Sequence, residues 1–206
     1  MVLLDKEKEK YDYIHKAADR YGYTTPRVNW FKRFTKNFFA LQMMNYLKFS
    51  KTALDIGCGK GNFYEIFNKK YPRLNLYGID ISDEAVEVCK SKNINAIQAF
   101  AHQLPFEENS IDLIYHLDGM EHIPEEWELE TIENQFKVAK QTVIHSIACH
   151  HEKDRPELIG KGYTPLHINV KDPNSWKNII DEIANKYNFK RVYSNNNPGR
   201  VDLIYI

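Results

Sequence analysis

Along residues 51–206, short apolar runs of strand length alternate with amphipathic stretches of helical period. The apolar runs predict strands at Thr52–Asp55, Asn75–Asp80, Asn95–Phe100, Ile111–Leu117 and Thr142–Ala148. Between them, Gly61–Tyr71 carries Phe63, Ile66 and Phe67 at helical spacing. Ser82 is placed to cap a second helix, with Asp83 and Glu84 in its first turn. A third helix is expected over Pro124–Lys140, with Leu129, Ile132, Phe136 and Ala139 on one stripe. Its acids Glu125, Glu126, Glu128, Glu130 and Glu133 precede Lys137 and Lys140, an order that complements the helix dipole. Trp176, Ile179, Ile180, Ile183 and Tyr187 mark a fourth helix. The chain closes with strands at Phe189–Ser194 and Val201–Ile206, joined by the turn residues Asn195-Asn196-Asn197-Pro198-Gly199. Alternation of this kind predicts an α/β Rossmann-like, doubly wound sheet. Residues 1–50 read as a helical segment ahead of it, so the chain divides into 1–50 and 51–206.

The first strand runs into Gly57-Cys58-Gly59-Lys60-Gly61, three alternate glycines before a helix. A loop without side chains lets a ligand lie against the backbone, and in a doubly wound sheet this turn is where a nucleotide-like cofactor binds. A dinucleotide fingerprint needs its third glycine at position 62, where this chain has Asn62. The spacing is wrong for NAD.

Four landmarks in order resemble the class I S-adenosylmethionine-dependent methyltransferases. They are the glycine loop, Asp80 at the tip of strand two, Leu104-Pro105-Phe106 followed by Ile111-Asp112-Leu113-Ile114, and Leu117-Asp118-Gly119-Met120-Glu121-His122-Ile123 after strand four. The resemblance covers residues 50–206 and implies a seven-stranded, mostly parallel sheet with a reversed C-terminal strand. It implies S-adenosylmethionine as cofactor and S-adenosylhomocysteine as product. Asp55, Gly57, Cys58, Gly59, Gly61, Asn62 and Phe63 would line its methionine and ribose end. Asp80 would accept from the ribose hydroxyls, with Ile81 against the adenine. Many relatives carry an acid before the Leu-Pro-Phe stretch; alignment gives Phe100 instead, which leaves the Ala101 amide and His102 or Gln103 to meet the adenine. His116 would sit beside the methionine portion.

Five of the eight histidines fall between His116 and His151. By the resemblance His122 has a structural role at a helix start. His145, inside an apolar strand, is expected to be a hydrogen-bonded core residue. His150 and His151 follow strand five, on the loop that often faces the acceptor. His167, in Leu166-His167-Ile168-Asn169-Val170, resembles a stretch near the acceptor pocket of several small bacterial methyltransferases. These three are the candidates for a general base or acceptor contact, since histidine titrates near neutrality. His145, His150, His151, Asp154 and His167 offer nitrogen and oxygen ligands, but no spacing matches a recognised metal site. Asp112 and Asp118 lack the companion Asp-Asn pair of magnesium-dependent catechol-type enzymes. No metal is expected.

Lysine plus arginine and aspartate plus glutamate each number 28, so the net charge is zero and nucleic acid is disfavoured as a partner. No apolar run is long enough to span a membrane, and the N-terminus lacks a signal peptide's features. Cys58, Cys89 and Cys149 cannot all pair, so a reducing cytoplasm is the expected compartment. From Pro26 to Lys51, Arg27, Lys32, Arg33, Lys36, Lys48 and Lys51 interleave with Trp30, Phe31, Phe34, Phe38, Phe39 and Leu41, without an acid. That segment either packs its aromatics on the sheet or forms a lid; residues 1–50 as a whole read as a helical cap or lid segment that closes over the site or mediates dimerisation. The expected activity is methyl transfer to a small-molecule, nucleotide-sugar or phosphate-linked hydroxyl, as in bacterial surface-polysaccharide modification. The alternatives are an RNA or protein methyltransferase and a non-catalytic cofactor-binding module.

Overall fold

The computed structural model describes residues 2–17, 38–151, 155–197 and 199–206. Asp154, Arg27, Lys32, Arg33 and Lys36, with Trp30, Phe31 and Phe34, lie outside the described residues, as does most of the expected lid. In chain order the elements are α1 (Val2–Lys16), α2 (Phe38–Phe49), β1 (Thr52–Ile56), α3 (Asn62–Lys70), β2 (Asn75–Asp80), α4 (Asp83–Ser91) and β3 (Asn95–Gln98). Then follow β4 (Ile111–Leu117), a 3-10 turn (Met120–His122), α5 (Glu125–Val138), β5 (Ala139–Ala148), α6 (Pro156–Ile159), α7 (Pro173–Lys186), β6 (Arg191–Asn197) and β7 (Arg200–Tyr205).

The strands form one seven-stranded sheet in the order β3-β2-β1-β4-β5-β7-β6. Strands β1 to β5 pair in parallel, and β7 runs antiparallel between β5 and β6. The order reverses between β1 and β4, which opens a crevice beyond their carboxyl ends. One face packs Leu54, Ile79 and Ile114 against Ile132, Phe136, Trp176 and Ile180 from α5 and α7. The other packs Ala53, Leu113, Tyr115 and Ile144 against Phe39, Met43, Leu47 and Phe67 from α2 and α3. Both faces are thus covered, as a parallel sheet requires.

Local chemistry sets the helix ends. Ser82 caps α4 by accepting from the Ala85 amide at 3.2 Å. Asp172 caps α7 through the Asn174 and Ser175 amides, with Pro173 at the first helical position. Asn93 and Asn188, both with positive φ, follow the ends of α4 and α7, where Ile94 and Phe189 bond back to Cys89 and Ala184.

Several expectations change; the last hairpin, for one, has β6 over Arg191–Asn197, so Asn195, Asn196 and Asn197 lie in the strand and not in the turn. The stripe on α5 does not include Leu129, which is 60% exposed; its buried side carries Glu128, Thr131, Ile132, Gln135 and Phe136. Glu128 does more than complement a dipole, since it accepts from Asn169 at 2.6 Å and pairs with Lys171 at 3.1 Å. Ala139 belongs to β5, which begins directly after the helix, and β3 ends at Gln98 so that Ala99 and Phe100 turn out of the sheet. His145 is fully buried, but neither ring nitrogen has a hydrogen-bond partner.

Candidate functional site

A cavity of about 650 Å³ lies beyond β1, β2 and β4, within the size range of small-molecule sites. Its floor is the glycine loop. Gly57, Gly59 and Gly61 all have positive φ, the left-handed region that glycine enters without strain. The loop is tied to β2 at several points. The amides of Gly57 and Cys58 both donate to the Ile79 carbonyl at 2.9 Å. The Gly59 amide donates to Oδ2 of Asp80 at 2.8 Å, while the Ser82 amide donates to Oδ1 at 2.9 Å. Each carboxylate oxygen of Asp80 keeps a lone pair for a further donor. Gly61 serves packing: a β-carbon there would stand 2.3 Å from Ile94 Cδ1.

Gly57, Cys58, Gly59, Asn62, Phe63, Asp80, Ile81, Phe100, Ala101, His102 and His116 all line the cavity. Asp55 and Gly61 do not. Asp55 points into the core beside Tyr115, its register partner on β4, where burial pushes its carboxyl well above the usual range. His102 stacks on Trp127 with ring centroids 5.1 Å apart and lies 5.5 Å from the Phe100 ring. An aromatic wall therefore takes the place of the acid seen in many relatives.

His116 is fully buried, and burial lowers its pKa to about 3, so the ring is neutral. Gln135 Nε2 donates to its Nδ1 at 3.2 Å, which puts the ring proton on Nε2. Gly119 leaves room for that nitrogen, since a β-carbon there would stand 2.0 Å from it. Asp118, with φ of 51°, also lines the cavity and pairs with Arg200 at 2.5 Å.

Helix α1 supplies individual lining residues that sequence reasoning did not name. Leu4, Glu7, Tyr11, Ile14 and His15 line the cavity from one side of it. Their 3- and 4-residue spacing was the available signal. The helix is pinned at three places. Asp12 accepts from Ser82 Oγ at 2.6 Å and from the Glu84 amide at 3.2 Å. Lys60 Nζ donates to the His15 carbonyl at 2.8 Å. The buried pair Lys10–Glu7, 2.5 Å apart, bonds Thr164 from both sides.

The segment around His167 is held against the 3-10 turn. The Ile168 and Asn169 amides both donate to the Glu121 carbonyl at 3.0 Å, and His122 Nδ1 donates to the Leu166 carbonyl at 2.8 Å. His122 lines the cavity, and the His167 ring packs edge-on against it at 5.0 Å. His150, His151 and His167 do not line the cavity. His150 donates from Nδ1 to the Gly199 carbonyl at 3.0 Å, and His151 is exposed beside the chain after β5. Glu121 is fully buried; burial, reinforced by Asp118, raises its carboxyl to about 8.

Residues 53–142 match the family model of a methyltransferase domain. The ubiquinone/menaquinone biosynthesis C-methyltransferase UbiE of Campylobacter jejuni (strain RM1221) is 34% identical over 90 residues, which span 40% of this chain and 38% of that protein. The demethylmenaquinone methyltransferase of Staphylococcus aureus (strain Newman) is 34% identical over 79 residues, 35% of this chain and 33% of that protein. The chain therefore covers well under half the length of these curated relatives. The PH0226 protein of Pyrococcus horikoshii OT3 shares the fold, with a TM-score of 0.65 at 18% identity over 90% of this chain and 97% of that one. So does the magnesium protoporphyrin IX methyltransferase of Synechocystis PCC 6803 with bound SAM, with a TM-score of 0.59 at 18% identity over 87% of this chain and 80% of that one. Among the described residues, no helix is long and apolar enough to cross a membrane.

Proposed function

We propose that this chain is an S-adenosylmethionine-dependent methyltransferase acting on a small, largely apolar acceptor held beneath α1. The observation that carries the reading is the pairing of a bare glycine loop with Asp80 on one wall of the cavity, the Gly59 amide bonded to the carboxylate. Asp80 accepts from the ribose hydroxyls with its remaining lone pairs. Ile81 and Phe100 flank the adenine, and the Ala101 amide and His102 meet its edge. The neutral His116 ring, and the backbone of Gly57 and Gly59, border the methionine end. Once bound, the cofactor supplies an activated methyl group and leaves as a neutral thioether. What the chain adds is alignment of the acceptor and exclusion of water, and α1 serves both by closing one side of the site.

The acceptor class follows from the lining. Leu4, Ile14, Ile66, Ile123, Trp127 and Phe63 present apolar surface, while Lys60 and Lys69 are its cations among the described residues. Lys60 is committed to the His15 carbonyl. Among the described residues a phosphate-linked or nucleotide-sugar hydroxyl would meet little positive charge, so they give a glycan acceptor less support than the histidine pattern alone suggests. The curated relatives named above carry quinones in their names, and an apolar ring of that kind suits these walls.

Transfer of a labelled methyl group from the cofactor to a panel of phenols, hydroquinones and nucleotide sugars tests this reading. Label is expected in the apolar aromatic acceptors. Label confined to nucleotide sugars would overturn the acceptor class.

A further inference from the structure

We propose that Glu121, His122 and His167 form a binding site for a divalent transition-metal cation of the zinc class, at the acceptor end of the cavity. One ligand atom from each of the three residues lies within 4.8 Å of those of the other two. A cation between them would replace several long gaps with short coordinate bonds. The donor set, two imidazoles and one carboxylate, is the borderline-soft combination that zinc and its neighbours take, with a further position left for water or substrate.

Three independent features agree with that use. Each histidine has its Nδ1 fixed as a donor to a main-chain carbonyl, His122 to Leu166 at 2.8 Å and His167 to His150 at 2.7 Å. A carbonyl can only accept, so in each ring the lone pair is on Nε2. This is the outer-shell arrangement that orients metal-bound histidines. The third ligand is a carboxylate with no exposure to solvent. Its Oε1 accepts from the Ala148 amide at 3.2 Å, but its Oε2 is buried without a hydrogen-bond partner. Leaving such an oxygen unsatisfied is costly, and a cation is the partner it lacks. Finally, two backbone bonds from Ile168 and Asn169 to the Glu121 carbonyl hold the His167 segment in place, so the ligands from two distant stretches are preassembled. Lys10 is a lysine whose charge acts on His122, and that charge is offset by its ion pair with Glu7.

The three positions are invisible to spacing rules because His167 is 45 residues beyond His122 and joins it only through the fold. His122 also lines the cavity, so an open coordination position would face the acceptor. There a cation would hold an acceptor oxygen and favour its deprotonated form.

The test uses the full chain, stripped with a chelator and titrated with Co²⁺, then with Zn²⁺ against a chromophoric chelator. The expected result is one equivalent of cobalt with visible d–d absorption, displaced by one equivalent of zinc, and a raised melting temperature in zinc. His167→Ala, at a half-exposed site, is expected to keep the fold and to weaken zinc at least tenfold; Glu121→Gln is expected to weaken it further. No saturable binding at one equivalent would overturn the proposal. So would binding left unchanged in His167→Ala, because the zinc would then sit on other histidines. S-adenosylhomocysteine binding, measured on the same stripped protein, is expected to persist, which separates failure of the metal site from failure of the methyltransferase reading.

Discussion

Ser82 Oγ donates to the Asp12 carboxylate at 2.6 Å, which joins the covering helix α1 to the cap of α4, two residues beyond Asp80. The same hydroxyl accepts from the Ala85 amide, so one side chain both starts α4 and docks α1. Burial pushes the Asp12 carboxyl upward, but hydrogen bonds from Lys8, Ser82 and the Glu84 amide outweigh it and hold it below the usual value. Asp12→Ala removes all three bonds from a partly buried site. The expected loss is about 1–2 kcal/mol of local docking energy. Hydrogen exchange in α1 is the measurement: protection there should fall while that of β1 and β4 is unchanged.

Gly119 and Gly57 are expected to respond differently to the same change. A β-carbon on Gly119 meets His116 Nε2 at 2.0 Å, and the fully buried ring has little room to move. Gly119→Ala should therefore lower stability by about 1–3 kcal/mol, the usual range for overpacking. At Gly57 a β-carbon finds nothing within 4 Å, and the cost is the positive φ alone, about 1–2 kcal/mol. Gly57→Ala should stay folded and lose cofactor affinity, because the added methyl projects where the ligand approaches. Thermal melts alongside binding titrations distinguish the two.

Acid should weaken the fold through a buried histidine before carboxylates of ordinary pKa titrate. His145 is buried on β5 beside its register partner His116, and burial lowers its pKa from 6.5 to about 3. The folded state thus holds the ring neutral, while the unfolded chain takes up a proton near pH 6.5. Its stabilising contribution is complete above that pH and is lost as pH falls from 6.5 toward 3. Between pH 7 and pH 5 the loss is on the order of 2 kcal/mol for this ring. His145→Leu should flatten the dependence of melting temperature on pH. Equal slopes in the two proteins would contradict this account of His145.

The strands and the glycine loop were readable because their signals are local. Asn75–Asp80 and Ile111–Leu117 appear with the expected bounds, since each is a buried parallel strand flanked by turn residues. The stripe on α5 was misjudged at both ends. Leu129 is exposed, and Ala139 has already entered β5; what the buried face carries instead is Thr131 together with Glu128 and Gln135, whose partners Asn169 and His116 come from elsewhere in the chain. The histidines show the same limit. Residue type and position pointed to His150, His151 and His167 for the acceptor side, but there His122 lines the cavity, with His167 behind it. Helix α1 was legible as a helix in a segment that either covers the site or mediates dimerisation, but the side chains it brings to the cavity were not. Leu4, Tyr11, Ile14 and His15 reach the site only because Asp12, Lys60 and the Lys10–Glu7 pair dock the helix there. The 3- and 4-residue spacing of those positions marks one face of a helix, but not what that face covers.

A lid built in this way should matter more for retention than for capture. Lys60→Ala removes the bond to the His15 carbonyl without touching the loop's backbone. The expected effect is faster dissociation of the cofactor product, several-fold, with an association rate that changes little. Stopped-flow displacement measures both rates directly.

The most direct test of the central claim is calorimetric titration of the purified chain with S-adenosylhomocysteine, for the native sequence and for Asp80→Ala. The native protein is expected to bind one equivalent, and the Asp80→Ala protein, folded by circular dichroism, to lose that binding. A native protein that takes up no ligand, or a variant that binds as well as the native one, would contradict the assignment of the glycine loop and Asp80 as the cofactor site.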